Sequence, residues 1–130
     1  MYFKNADEVL YQWVTRVCTG NPDEITALYH ASAVLIPTFS PHTVTAGEGI
    51  RNYFAQLATR DGLGVRLHSK ALRKQELSGT LHTLSGIYSF EFEVDQVPLS
   101  FPSRFTFVVD ISQEKPIIHH HSSQVPRNLS

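Results

Sequence analysis

The sequence predicts an α+β fold, in which three N-terminal helices pack on a strongly curved, mainly antiparallel sheet. Three observations carry that expectation. Up to about residue 60 the apolar residues recur at three-and-four spacing, the signature of helices with one buried face. From Gly64 the pattern changes to strict alternation, the signature of strands. The alternating segments are joined by short connections, and consecutive strands joined in that way pair antiparallel.

Taken in order, residues 5–19 place Val9, Leu10, Trp13, Val14 and Val17 on one helix face. Asn5 or Asp7 is available as N-cap, and Gly20 stands where a left-handed residue ends a helix. Asn21-Pro22-Asp23-Glu24 starts a second, short helix, because proline fits the first turn and acids favour the positive end of the dipole. Ile25, Leu28 and Tyr29 are expected on its buried side. Residues 33–37 read as a brief strand and residues 38–43 as a loop of turn formers. Gly47-Glu48-Gly49 opens a third helix with Ile50, Tyr53, Phe54 and Leu57 on one side, ending near Asp61-Gly62.

Residues 65–72 then read as one long strand, Ser78-Gly79 as a hairpin turn, and residues 81–92 as the partner strand. Gly86 in mid-strand marks a bend, since glycine weakens a strand unless curvature or close approach requires it. A connection at residues 95–98 leads into residues 101–111. There Phe105, Phe107, Val109 and Ile111 share one face, and Arg104, Thr106, Val108 and Asp110 the other. The closing strand runs from Ile117 and Ile118 through His119, His120 and His121 to Ser122 and Ser123. A histidine run of this kind resembles a purification tag, but it continues a β-branched pair and follows a turn-like Ser112-Gln113-Glu114-Lys115, which puts it inside the fold.

Composition bounds the function. At 130 residues, 42% hydrophobic and 18% charged, the chain fits a single domain spanning 1–130, small enough that a partner subunit sharing apolar surface is physically plausible. A net charge of −1 without blocks of like charge favours neither nucleic acid nor an anionic membrane as partner. The single cysteine, Cys18, forms no intrachain disulfide and is expected as a small buried hydrophobe on the first helix. No apolar run reaches membrane-spanning length and the N-terminus lacks a secretion signal, so a soluble, cytoplasmic protein is expected.

Several strings together resemble the nuclear-transport-factor-2-like (SnoaL-like, cystatin-like) superfamily. The resemblance is closest to the association domain of calcium/calmodulin-dependent protein kinase II and its bacterial stand-alone relatives. These strings are the Trp13 helix with Gly20-Asn21-Pro22, Tyr29, Ala33-Val34-Leu35-Ile36-Pro37-Thr38, and Glu48-Gly49-Ile50-Arg51-Asn52-Tyr53-Phe54. They continue with Gly86-Ile87-Tyr88-Ser89-Phe90, Ser103-Arg104-Phe105-Thr106-Phe107-Val108 and the string closing at Pro126. The last two are the most specific. The resemblance implies a cone with a deep pocket and self-association through the outer sheet face into homodimers or larger rings. In the kinase hub, arginines on the inner sheet face hold small carboxylates. Arg104 matches one of them, a second falls at Ser122, and Tyr88 lies close to a third polar position. Kinase domain, autoinhibitory segment and calmodulin-binding helix have no counterpart in these residues.

The chemistry divides accordingly. Adjacent strand residues point to opposite faces, so His119 and His121 share one side and His120 shares the other with Ile118 and Ser122. The three cannot grip one ion together, and His30, His42, His68 and His82 show no ligand spacing, so no metal is expected. No cofactor is implied, Gly47-x-Gly49 being too short for a dinucleotide fingerprint. No serine or cysteine nucleophile stands out. The leading expectation is an association domain whose pocket, lined by Arg104, His120, Ser122 and Tyr88, binds a small acidic or aromatic ligand. The alternatives are a small isomerase, dehydratase or hydrolase-like enzyme with His120 as general acid or base, and a pure oligomerisation module with a vestigial pocket.

Overall fold

Asn5 caps the first helix, α1 (Ala6–Thr19), by accepting the Glu8 N–H at 3.0 Å, and Gly20 ends it at φ 72° with its N–H on the carbonyls of Arg16 and Val17. The computed structural model describes residues 2–45 and 47–126. Asn21 caps the short α2 (Pro22–Thr26) by accepting the N–H groups of Asp23 and Glu24, both at 3.1 Å. That helix stops at Thr26, so Tyr29 is not part of it. Tyr29 opens β1 (Tyr29–Ile36), a longer strand than its apolar core suggested. The short β2 (Val44–Thr45) pairs with β1 and leads into α3 (Glu48–Leu57), which buries Ile50, Phe54 and Leu57.

The expected long strand at residues 65–72 is broken in two. β3 (Gly64–Leu67) and β4 (Arg73–Glu76) are separated by a 3-10 turn at Ser69–Ala71, and both pair with β5 (Leu81–Val94). The break lies over Gly86. A Cβ there would stand 3.3 Å from the Ala71 carbonyl oxygen and from the Leu72 Cα, so this glycine admits the crossing backbone. β5 and β6 (Val97–Asp110) form one continuous hairpin of fourteen residues each, closed by Asp95 and Gln96, both at positive φ. A two-residue turn with both central residues left-handed has the twist a hairpin requires.

β7 (Ile117–Gln124) pairs antiparallel with β6 and parallel with β1. The resulting seven-stranded sheet runs β2-β1-β7-β6-β5-β3, with β4 also on β5. Its three helices and curved, mixed sheet are the α+β layout expected. One face carries the core, in which Trp13 from α1 and Phe54 from α3 meet Leu35, Leu84, Tyr88, Phe90, Phe105 and Phe107 from the strands. The opposite face is half-exposed. Cys18, expected in the core, is exposed instead, and its sulfur exchanges weak hydrogen bonds with the backbone N–H and C=O of Val65 at 3.4 and 3.5 Å, tying α1 to β3. No helix among the described residues is long and apolar enough to cross a membrane.

Candidate functional site: a buried histidine and its split surroundings

Alternation along β7 separates the three histidines as expected. His120 lies opposite Phe107 of β6 and Leu35 of β1, both core residues, and is itself 2% exposed. His119 and His121 lie opposite Val108 and Thr106 and face outward. Tyr88 and Ser122 join His120 on the inner face. Arg104 does not. It sits between Ser103 and Phe105, both buried, so its own side chain is exposed on the outer face, paired across the ladder with Ser123. The expected four-residue lining is therefore three inward residues and one outward arginine, as the face division Arg104, Thr106, Val108, Asp110 required.

The inward three belong to a chain of hydrogen bonds whose direction can be read from its ends. Trp13 Nε1–H donates to the Tyr29 hydroxyl at 2.9 Å, and that hydroxyl meets His120 Nδ1 at 2.7 Å. On the other side of the ring, Nε2 meets the Tyr88 hydroxyl at 2.9 Å, and Tyr88 donates its proton to Ser122 Oγ at 2.7 Å. Ser122 Oγ contacts Thr38 Oγ1, which donates to Ser103 Oγ at 3.2 Å, and Ser103 donates to the Phe101 carbonyl at 3.5 Å. A phenol has one proton. Because Tyr88 gives its proton to Ser122, it must accept from His120, which puts the imidazole proton on Nε2 and leaves Nδ1 to accept from Tyr29. Tyr29 in turn accepts from Trp13. Every member donates once in the same sense, from an indole on α1 to a carbonyl on β6.

That arrangement suits a neutral imidazole. A second proton on Nδ1 would face a hydroxyl already pointing its hydrogen at it, and among the described residues the partners of the ring nitrogens are the Tyr29 and Tyr88 phenols, not a carboxylate. Burial pushes the His120 pKa well below the ordinary histidine value, and the neighbouring His119 and His121 push it the same way. Burial likewise raises the Tyr29 and Tyr88 phenols, so both stay protonated donors at neutral pH. The ring is clamped by aromatics as well, with Phe107 stacked on it at 3.8 Å and Trp13 edge-on at 5.3 Å. Tyr88 is sandwiched between Trp13 at 5.1 Å and Phe105 at 4.5 Å.

The space left beside this chain is about 10 Å³, bordered by Tyr53, Phe54, Phe90 and Pro37 besides the chain members. That is about the room of a single water-sized sphere. On the outer face, Arg104 borders a shallow depression with His121, Ser123, Thr106 and Ser85. Among the described residues no group of three or more histidine, cysteine or acidic side chains is placed to hold a metal ion. Trp13, Tyr29, Thr38 and Ser103 were not singled out as polar partners by sequence reasoning, although buried indole and phenol groups need hydrogen-bond partners and a buried histidine is their natural acceptor.

Comparison with solved structures places the fold among known ones. A crystal structure from Xanthomonas campestris, described as a calcium/calmodulin dependent protein kinase II association domain, is 27% identical with a TM-score of 0.84, covering 94% of this chain and 86% of its own. An uncharacterised protein of cystatin-like fold from Caulobacter vibrioides is 9% identical with a TM-score of 0.75, over 92% of this chain and 87% of its own. A protein of ketosteroid isomerase-like fold from Catenulispora acidiphila, solved with trimethylamine, is 16% identical with a TM-score of 0.65, over 97% and 89%. These last two share the fold alone. No curated protein matches the chain. The family model of the calcium/calmodulin dependent protein kinase II association domain matches residues 4–126, nearly the whole described chain, and the protein belongs to that family.

Proposed function

We propose that this chain is a self-associating module whose cone is a packed core, and that copies meet through the outer face of the sheet. The observation that carries the reading is the contrast in filling. The interior retains about 10 Å³ beside His120, whereas the outer face presents Val34, Ile36, Ile87 and Val108, each only half-covered. Around them stand His119, His121, Thr106 and Arg104, a mixed surface of the sort that buries well against a copy of itself. In this reading His120, Tyr88 and Ser122 hold the core in register, and Arg104 serves the assembly surface.

Mass measurement by light scattering tests it. The chain mass is 14.6 kDa, so the protein is expected to elute as a multiple of that value, and Val108→Arg to shift it towards the single chain while retaining its circular dichroism. A wild type that is monomeric at all concentrations, or a Val108→Arg protein of unchanged mass, overturns the proposal.

A second reading keeps His120, Tyr88 and Ser122 as ligand contacts, favoured by their convergence on the small residual void. It requires Tyr53 or Phe54 to swing away and admit a ligand. A general-base role for His120 on that reading would need Tyr29 to release Nδ1. Thermal stabilisation by small carboxylates that disappears in Tyr88→Phe supports it; none with wild type removes it.

A further inference from the structure

Two histidines of the closing strand are still without a task. His119 and His121 stand two positions apart on the outer face of β7, and the register between them runs unbroken on both sides, against Val34 and Ile36 of β1 and Val108 and Thr106 of β6. Two rises of a strand separate their Cα atoms by about 6.6 Å, and side chains leaving the same face stay within reach of each other. Ring nitrogens on a tetrahedral zinc ion, each about 2.0–2.1 Å from the metal, lie about 3.4 Å apart. Two imidazoles leaning together from this pair meet that spacing. The alternation that denies all three histidines to one ion therefore gives two of them to the same one.

Their rings are also uncommitted. Among the described residues His30 is held by Ser32, His68 by Ser89 and His120 by two phenols, whereas neither His119 nor His121 has a side-chain hydrogen-bond partner. A neutral imidazole with an open nitrogen suits zinc and its neighbours among the divalent transition ions. No carboxylate lies in the cross-strand row of either. The row of His119 runs through Val108 and Thr83 to Gln75, and that of His121 through Thr106 and Ser85 to Arg73. Arg73 turns its guanidinium onto the carbonyls of Lys70 and Leu72, and Arg104 stands one row further on, opposite Ser123. These cations oppose a metal ion, so the expected affinity is micromolar, well short of a structural zinc.

Two ligands make half a site. Zinc takes four, and among the described residues no third histidine, cysteine or acidic side chain joins the pair. A second copy of the chain supplies the same two again. Residues near the axis of a two-fold contact meet their own counterparts. The pair lies in the middle of the outer face, on the third of six strands along the sheet, among the half-covered Val34, Ile36 and Val108. We propose that His119 and His121 of two copies together bind one divalent transition-metal ion, zinc by preference, at the centre of the self-association surface. The site rests on the reading of the outer face as that surface, and adds to it an ion that fixes the register of the two copies.

Zinc chloride titrated into chelator-stripped protein in a calorimeter, with mass followed by light scattering, tests the assignment. Wild type is expected to saturate at one ion per two chains with a dissociation constant below about 50 µM. His119→Gln and His121→Gln should each lose about tenfold or more in affinity and the double variant should not bind, with circular dichroism unchanged. His30→Gln and His42→Gln should bind as wild type does. Val108→Arg keeps both histidines but parts the copies, and should lose the one-to-two stoichiometry together with about tenfold in affinity. The proposal is overturned if zinc does not bind, if each single chain saturates with its own ion, or if the double variant binds as well as wild type, which would mean an adventitious ion only. A metal-free multimer that ignores zinc removes the ion and leaves the assembly surface standing, whereas a protein monomeric with and without zinc removes both.

Discussion

His120 and His121 are adjacent in sequence and live under opposite physics. His120 is sealed among Phe107, Trp13 and two phenols, has both ring nitrogens hydrogen-bonded, and has no charged hydrogen-bond partner among the described residues. His121 lies on the outer face in a cross-strand row with Ile36, Thr106, Ser85 and Arg73, where water can serve it. The same alternation separates Ser122 from Ser123 and Phe105 from Arg104. Chemical type alone therefore says little about what a residue on this sheet does; parity along the strand decides whether its polarity must be satisfied by protein or is left to solvent and partners.

Replacing each histidine by leucine probes that difference most severely. His120→Leu leaves Tyr29 without an acceptor and Tyr88 without a donor in a dry interior, and is expected to cost about 2–5 kcal/mol in denaturant unfolding. His121→Leu should stay within about 0.5 kcal/mol. Equal losses would show that burial does not distinguish the two. One step smaller, Tyr88→Phe keeps the stacking on Trp13 and Phe105 but cuts the link from His120 to Ser122. A loss of about 1–3 kcal/mol is expected, against little change for Arg104→Ala.

The mildest probe is pH. The His120 pKa is depressed in the folded protein, while the unfolded chain titrates near 6.5, so below about pH 6.5 the unfolded state takes up a proton that the folded state refuses. The stability contributed by the neutral ring is whole above that pH and is lost as pH falls. The slope approaches about 1.4 kcal/mol per pH unit for this one proton until the folded pKa is reached. Chemical denaturation between pH 7.5 and 5 should show that decline, flattened in His120→Asn; equal slopes in the two proteins would mean that His120 does not set it.

Much of the fold was legible because the periodicities were long and their punctuation explicit. Asn5, Gly20 and Asn21 cap where their chemistry indicates, and the division of Phe105 and Phe107 from Arg104 and Thr106 was readable from alternation alone. Family resemblance argued the other way for Arg104, drawing it into the pocket, and local parity prevailed. What alternation could not reveal was the break at residues 68–72. It depends on a contact between Leu72 and Gly86, far apart in sequence, although the glycine itself marked the place. Tyr29 was assigned to a helix because it continues an apolar three-and-four pattern past Thr26. Its role as the hinge between Trp13 and His120 follows from a parallel pairing that no local pattern encodes. Tyr53 was counted to the core side of the third helix with Ile50, Phe54 and Leu57, and it does border the small void beside His120.

The parallel pairing of β1 with β7 has a consequence in time. Tyr29 and His120 are separated by 91 positions, and β1 gains its second neighbour only when the last strand arrives. While the chain is being synthesised, the β5–β6 hairpin can zip from its tight turn, a local event of microseconds once both arms exist. β1 meanwhile waits with one edge open, Trp13 lacks its phenolic acceptor's final partner, and Leu28 still awaits the Ile117 amide that fixes the strand's start. Closing so long a loop makes this the entropically costly step of folding and the interval of greatest aggregation risk. The histidine-bearing strand is thus the latch of the domain: the order in which the ribosome delivers the chain leaves the whole helix–sheet interior provisional until its final dozen described residues have docked.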